Sequence, residues 1–132
     1  MVQTSLRTQR FTESVIRKMT RACNECGAVN LSQGFPDFDP PAELLQAAHE
    51  AINGPFHQYA ITWGAENFRR ALARKLEDWL GYPISPESNL VVTCGSTEAM
   101  LASLMSLVNP NDKVIVFSPF YENYGADTIL SG

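Results

Sequence analysis

The chain lacks the features that mark membrane, secreted and nucleic-acid-binding proteins. None of its apolar runs approaches the roughly 20 residues that a membrane-spanning helix needs. Its first residues have no apolar core of the kind found in a signal peptide, which predicts a cytoplasmic location. The formal net charge of −4 gives no electrostatic reason to expect nucleic acid as a partner. With 45% hydrophobic and 18% charged residues, the 132 residues have the composition of a globular protein.

Cysteine is also scarce, with three residues in the chain. Cys23 and Cys26 form a C-x-x-C pair, which is compatible with a redox pair or with half of a zinc site. Redox pairs of this kind lie at the N-terminus of a helix, where the helix dipole lowers the pKa of the thiol. This pair instead stands near the end of a predicted helix, and the chain has no second C-x-x-C and no histidine pair. The sequence therefore favours a structural or incidental role and predicts no metal site.

The chain alternates between helical and extended patterns, which predicts an α/β fold. The predicted helices cover residues 11–25, a segment from the proline pair to Asn53 with Asp39 as its cap, and residues 65–80, 97–108 and a final stretch before residue 132. Strands are predicted at Leu90–Cys94 and Val114–Phe117, where apolar and β-branched residues are concentrated. In the helix at 65–80, an inward face is predicted for the apolar residues Phe68, Leu72, Leu76, Trp79 and Leu80.

The stretch Asn89–Met100 reads as a strand, a small-residue turn and a helix. This geometry leaves unpaired backbone N–H groups and the positive end of a helix dipole at one spot. Two hydroxyl groups, those of Ser96 and Thr97, stand there beside Gly95. An anion such as phosphate fits this arrangement. The alternative is an ordinary helix cap, because serine and threonine are favoured at helix N-termini in any case.

Aromatic residues follow the predicted elements at two further places. Phe120 and Tyr121 come directly after the second predicted strand, where ligands bind in α/β sheets. A ring there can stack on a flat ligand or can simply pack over the end of the sheet. Tyr59 lies in a loop, where its hydroxyl can donate to a phosphate or can be an exposed turn residue.

Four motifs, in this order, resemble the opening third of the class I aminotransferases, which are pyridoxal-phosphate enzymes of fold type I. The motifs are LSQGFPDFDPP, HQYAITWGAENFRRALA, VVTCGSTEAM and NPNDKVIVFSPFYENY. The nearest subgroup looks like that of the kynurenine, glutamine, methionine and aspartate-type enzymes. The resemblance runs from about Phe11 to Gly132 and implies a three-layer α/β architecture, of which this chain is an incomplete N-terminal part. It implies an N-terminal arm and the start of a small domain at residues 1–54, and the beginning of a large cofactor-binding domain at 55–132.

The resemblance also implies roles for individual residues. Gly95, Ser96 and Thr97 would hold the phosphate of pyridoxal 5'-phosphate, and Tyr121 would stack on its pyridine ring. Tyr59 would reach the phosphate bound by the other subunit of a homodimer. Gly34 would lie beside the substrate carboxylate. An aromatic residue often found in the N-terminal arm of this family is replaced here by Ile16, which argues against a preference for aromatic substrates.

The catalytic groups of the family are expected beyond residue 132. These are a lysine that forms a Schiff base with the cofactor, an acid at the pyridine nitrogen and an arginine for the substrate carboxylate. The three lysines of the chain, Lys18, Lys75 and Lys113, stand in other contexts. No catalytic residue is therefore expected in this chain, which is predicted to be inactive alone. The implied reaction moves an amino group between an amino acid and a 2-oxo acid; the alternatives are a C–S β-lyase of the same fold and a non-catalytic phosphate-binding remnant.

Overall fold

The structure is a computed structural model that describes residues 3–9 and 11–132. Those residues form a short 3-10 helix, Leu6–Thr8, and five α-helices. The α-helices are α1 (Val15–Cys26), α2 (Ala42–Asn53), α3 (Glu66–Leu80), α4 (Gly95–Leu107) and α5 (Asn123–Ser131). The chain divides into two compact units, one of Met1–Pro40 with Leu101–Gly132 and the other of Pro41–Met100.

The helices follow the predicted ones closely, with differences at their N-termini. α1 begins at Val15 rather than Phe11, because the Ser14 hydroxyl accepts a hydrogen bond from the Arg17 N–H and caps the helix there. The prediction that Asp39 caps α2 is wrong, since α2 follows Pro41 and has no side-chain cap. α3 ends at Gly81 as predicted, where the Gly81 N–H bonds to the carbonyl oxygen of Glu77 at 2.8 Å.

The two predicted strands are wrong in this structure, because no β-strand forms among residues 3–9 and 11–132. A helix satisfies its N–H and C=O groups within itself, whereas a strand needs a neighbouring strand to pair with. Leu90–Cys94 and Val114–Phe117 have no such neighbour in the described part of the chain. The Val92 N–H instead donates to the carbonyl oxygen of Trp63, at 2.9 Å. In the described part of the chain, the helices of the predicted α/β fold are present and its sheet is not.

The apolar core is small. Among the described residues, Ala73 and Ile84 are the buried hydrophobic ones. The predicted inward face of α3 is also wrong in part, because three of its five residues are exposed: Phe68, Trp79 and Leu80. Leu72 and Leu76 are half-buried, and the buried residues of the helix, Arg69 and Ala73, each lie one residue after a predicted one.

In the unit formed by residues 1–40 and 101–132, the 3-10 helix lies against α5. Arg7 donates from Nη1 to the carbonyl oxygen of Leu130 at 3.4 Å. The carboxylate of Glu122, just before α5, accepts a hydrogen bond from the Val15 N–H at 3.2 Å. These bonds join the two ends of the chain within this unit.

Candidate functional site

The turn predicted to bind phosphate forms the first residues of α4. Gly95 has a φ of +76°, in the left-handed region that favours glycine. A Cβ atom added at Gly95 would meet nothing within 4 Å. A glycine is thus favoured at position 95 by the backbone conformation and not by close packing.

The hydrogen bonds around this turn do not use the backbone N–H or the hydroxyl of Ser96. The Gly95 N–H bonds to the carbonyl oxygen of Thr93 at 2.8 Å, and the Thr93 hydroxyl donates to the carbonyl oxygen of Gly95 at 2.9 Å. Neither the backbone N–H nor the hydroxyl of Ser96 bonds to any residue within 3–9 or 11–132. Because Ser96 lies in the exposed first turn of α4, its N–H stands at the positive end of the helix dipole. The arrangement can hold an anion.

One anionic group of the chain already lies at this end of α4. The Glu98 carboxylate accepts a hydrogen bond from the Cys94 N–H. A carboxylate near a helix N-terminus is stabilised by the helix dipole, and here it occupies one backbone donor. The donors of Ser96 therefore remain for an incoming anion, and the charge of Glu98 works against an anion placed close to it.

Tyr59 lies in the same unit as the phosphate turn, in the loop between α2 and α3. Its side chain is fully exposed, at 102% of the reference area. The loop closes at its end with a bond from the Gly64 N–H to the carbonyl oxygen of Ile61, at 2.8 Å. Since the Val92 N–H bonds to the carbonyl oxygen of Trp63, the end of the Tyr59 loop is tied to the segment that leads into Gly95.

Arg69 also binds this loop, a role that the sequence pattern did not predict. Its side chain is 3% exposed; Nε donates to the carbonyl oxygen of Gly64 at 3.0 Å, and Nη1 donates to that of Pro86. Arg70, the next residue, is exposed and pairs with Glu66 and Glu87.

The other two predicted site residues belong to the unit of residues 1–40 and 101–132. The Tyr121 ring is half exposed and meets the Tyr124 ring edge to face, with centroids 6.2 Å apart and an interplanar angle of 84°. A Cβ atom added at Gly34 would meet nothing within 4 Å. Close packing within the described chain thus does not require a glycine at position 34, and its place beside a substrate stays a prediction.

The remaining electrostatic features lie outside this site. Arg21 donates to both carboxylate oxygens of Glu13, and this hydrogen bonding holds the pKa of Glu13 below its ordinary value. Cys23, Cys26 and Cys94 are free thiols. The described part of the chain contains no group of three or more metal-ligating side chains, and none of its helices is long and apolar enough to span a bilayer.

The sequence matches the family described as aminotransferase class I and II over residues 27–132. It is 38% identical over 122 residues to the probable N-succinyldiaminopimelate aminotransferase DapC of Mycobacterium tuberculosis, covering 92% of this chain and 31% of the relative. It is 40% identical over 120 residues to the methionine aminotransferase of Escherichia coli, covering 90% of this chain and 31% of the relative. The kynurenine–oxoglutarate transaminase 1 of Homo sapiens is 35% identical over 117 residues, which are 87% of this chain and 28% of that enzyme.

Solved structures agree with the sequence relatives. The N-succinyldiaminopimelate aminotransferase from Mycobacterium tuberculosis superposes with a TM-score of 0.89 at 38% identity, over 98% of this chain and 34% of that one. The chain spans about a third of the length of the curated relatives it matches. The predicted resemblance is confirmed: the chain belongs to the class I and II aminotransferase family.

Proposed function

We propose that this chain supplies the phosphate-binding part of a pyridoxal-phosphate-dependent aminotransferase, which moves an amino group between an amino acid and a 2-oxo acid. The observation that carries this proposal is the turn at the start of α4. There Gly95 adopts a left-handed conformation and Ser96 offers an N–H and a hydroxyl that no described residue binds. A dianionic phosphate monoester matches these donors and the dipole of α4.

The residues of the chain fit the cofactor in part, and each has a separate task. Pyridoxal phosphate, when bound, supplies an aldehyde and a ring that accepts electrons. The N–H groups of Ser96 and Thr97 would hold its phosphate, and the half-exposed ring of Tyr121 offers a face for stacking. Gly34 would leave room for the substrate carboxylate, since no side chain stands there. The catalytic lysine is proposed to come from a part of the fold beyond these residues.

The remaining expectations concern the assembly. We infer that residues 1–54 belong to the arm and small domain and residues 55–132 to the large domain of a three-layer fold. Residues 1, 2 and 10 of the first segment lie outside the described residues. The full exposure of Tyr59 suits a residue that serves a second subunit. A homodimer with shared sites is therefore proposed, and the cytoplasmic location stays a prediction.

The phosphate site is tested in a full-length class I aminotransferase that carries residues 1–132, called the full-length enzyme below. The dissociation constants of pyridoxal 5'-phosphate and of pyridoxal are compared. If the turn binds phosphate, pyridoxal 5'-phosphate binds clearly more tightly than pyridoxal. Thr97→Ala should then reduce the difference between the two dissociation constants. Equal binding of the two compounds would overturn the proposal.

Sharing of sites between subunits is tested with hybrid dimers of one Tyr59→Phe subunit and one Thr97→Ala subunit. If Tyr59 serves the partner, one site of the hybrid carries both defects and the other site binds the cofactor with wild-type affinity. If Tyr59 serves its own subunit, each site carries one defect. A hybrid without any wild-type site would therefore contradict the shared arrangement.

A further inference from the structure

Arg69 stands out because a charged side chain is buried without a carboxylate beside it. Its side chain is 3% exposed, and the ion pairs of the described residues do not include it. Its recorded partners are two backbone carbonyl oxygens, those of Gly64 and Pro86. A buried guanidinium group is tolerated when such acceptors satisfy it, and the bonds it makes are charge-assisted. Arg69 thus links two loops through hydrogen bonds to their backbone.

The two loops that Arg69 links lead to two different predicted cofactor contacts, Tyr59 and the phosphate turn at Gly95. Gly64 ends the loop that carries Tyr59, five residues earlier. Pro86 lies within the connection between α3 and α4, which continues through Val92 to Gly95. One side chain on α3 therefore holds the end of the tyrosine loop beside the segment that leads into the phosphate turn.

The contact between the two loops is close. The Val92 N–H bonds to the carbonyl oxygen of Trp63 at 2.9 Å. Gly64 has a φ of +103°, and a Cβ atom added there would lie 2.4 Å from Cγ2 of Val92. Residue 64 must therefore be a glycine both for its backbone conformation and for the room that Val92 occupies.

Tyr59 has no local contact that would fix its position. Its side chain is fully exposed, and no hydrogen bond of its hydroxyl to a described residue is present. The nearest fixed points along the chain are the turn from Ile61 to Gly64 and the bonds of Trp63 and Gly64. The end of the loop that follows Tyr59 is thus held at Trp63 by the Val92 N–H and at Gly64 by Arg69.

We propose that Arg69 is a positioning residue for the cofactor site: by binding the Gly64 and Pro86 carbonyl groups, it holds the loop that presents Tyr59 to the cofactor phosphate. This proposal rests on the proposed function, because it needs a phosphate for Tyr59 to reach. Arg69 itself does not touch the cofactor, since its side chain is buried and its donors point at backbone carbonyl groups.

The test uses the full-length enzyme with Arg69→Met, which keeps an apolar stem and removes the guanidinium group. Arg70→Met is the matched control, because Arg70 is the adjacent residue of the same helix and its ion pairs are exposed. The dissociation constant of pyridoxal 5'-phosphate is measured for each variant, with and without Tyr59→Phe. Hydrogen exchange of the Val92 amide reports on the junction of the two loops.

The proposal predicts that Arg69→Met weakens cofactor binding about tenfold, within the range expected for losing one hydrogen bond to a charged group. In the Tyr59→Phe background the same change should cost less than about twofold, because the tyrosine contact is already absent. Exchange at Val92 should accelerate, Arg69→Lys should restore part of the affinity, and Arg70→Met should change neither quantity. Equal losses in both backgrounds, or unchanged exchange at Val92, would overturn the proposal.

A second variant covers the case in which Arg69→Met does not fold. Gly64→Ala disturbs the same contact between the two loops, because the added Cβ atom would clash with the Val92 side chain. It should also weaken cofactor binding only while Tyr59 is present, and unchanged binding would count against the proposal. Failure of the phosphate site itself looks different, since the wild-type enzyme would then bind pyridoxal as tightly as pyridoxal 5'-phosphate.

Discussion

A substitution at Gly95 separates a functional turn from an ordinary helix start. Gly95 has a φ of +76°, and a Cβ atom added there meets nothing within 4 Å. Alanine at this position therefore encounters no steric clash with the rest of the described chain. Its cost is the left-handed backbone alone, about 1–2 kcal/mol for a residue other than glycine.

This cost should appear in cofactor binding, because the turn is exposed and lacks packing that would hold it in place. Without cofactor, Gly95→Ala lets the turn relax to an ordinary conformation. Binding must then restore the left-handed conformation, which lowers the affinity by the same free energy. Since 1.4 kcal/mol corresponds to a factor of ten, we expect about 5- to 30-fold weaker binding of pyridoxal 5'-phosphate.

Gly81 provides the matched control. It has a φ of +79°, an added Cβ atom there also meets nothing within 4 Å, and it ends α3. Gly81→Ala has the same backbone cost, which should lower the stability of the full-length enzyme and leave cofactor affinity unchanged. Both variants are measured by isothermal titration calorimetry and thermal unfolding. The reasoning is refuted if Gly95→Ala and Gly81→Ala bind the cofactor equally well.

Three further predictions concern other parts of the chain. Thr97→Ala should remove a hydrogen bond worth about 1.5–3 kcal/mol and weaken cofactor binding about 10- to 100-fold, whereas unchanged affinity in a titration would mean that the Thr97 hydroxyl does not bind the cofactor. An NMR titration should give Glu13 a pKa below its ordinary value, and Arg21→Met should raise that pKa again. Because the pKa of Glu13 is lower in the folded state than in the unfolded state, the Glu13–Arg21 pair stabilises the fold at neutral pH. This stabilisation is lost as the pH falls through the folded-state pKa. The 132-residue chain alone should show no transaminase activity, and borohydride reduction with pyridoxal phosphate should not label one lysine stoichiometrically; such labelling of Lys18, Lys75 or Lys113 together with turnover would contradict this.

The sequence was informative wherever structure depends on neighbouring residues. Local capping and helix periodicity predict three features of the helices. These are the glycines that follow α1 and α3, Gly27 and Gly81, and the start of a helix at the Gly95–Thr97 turn. The strands at Leu90–Cys94 and Val114–Phe117 failed because strand formation depends on partners that are distant in sequence.

In the candidate site, too, local features could be predicted from the sequence and contacts between distant residues could not. The turn at Gly95 could be predicted from the continuous stretch Asn89–Met100, and its glycine has a backbone conformation that favours glycine. Arg69 could not be predicted, since Arg69 and Arg70 look alike in sequence and only the packing of two loops distinguishes them. The meeting of Tyr59, Tyr121 and the phosphate turn at one cofactor depends on tertiary and subunit contacts, so it stays a prediction.

The central claim is that the turn at the start of α4 binds the phosphate of the cofactor. The most direct test is a crystal structure of the full-length enzyme with pyridoxal 5'-phosphate bound. The account predicts phosphate oxygens about 2.7–3.2 Å from the backbone nitrogens of Ser96 and Thr97. A phosphate group held by other residues, with the Ser96 N–H facing solvent, would contradict it.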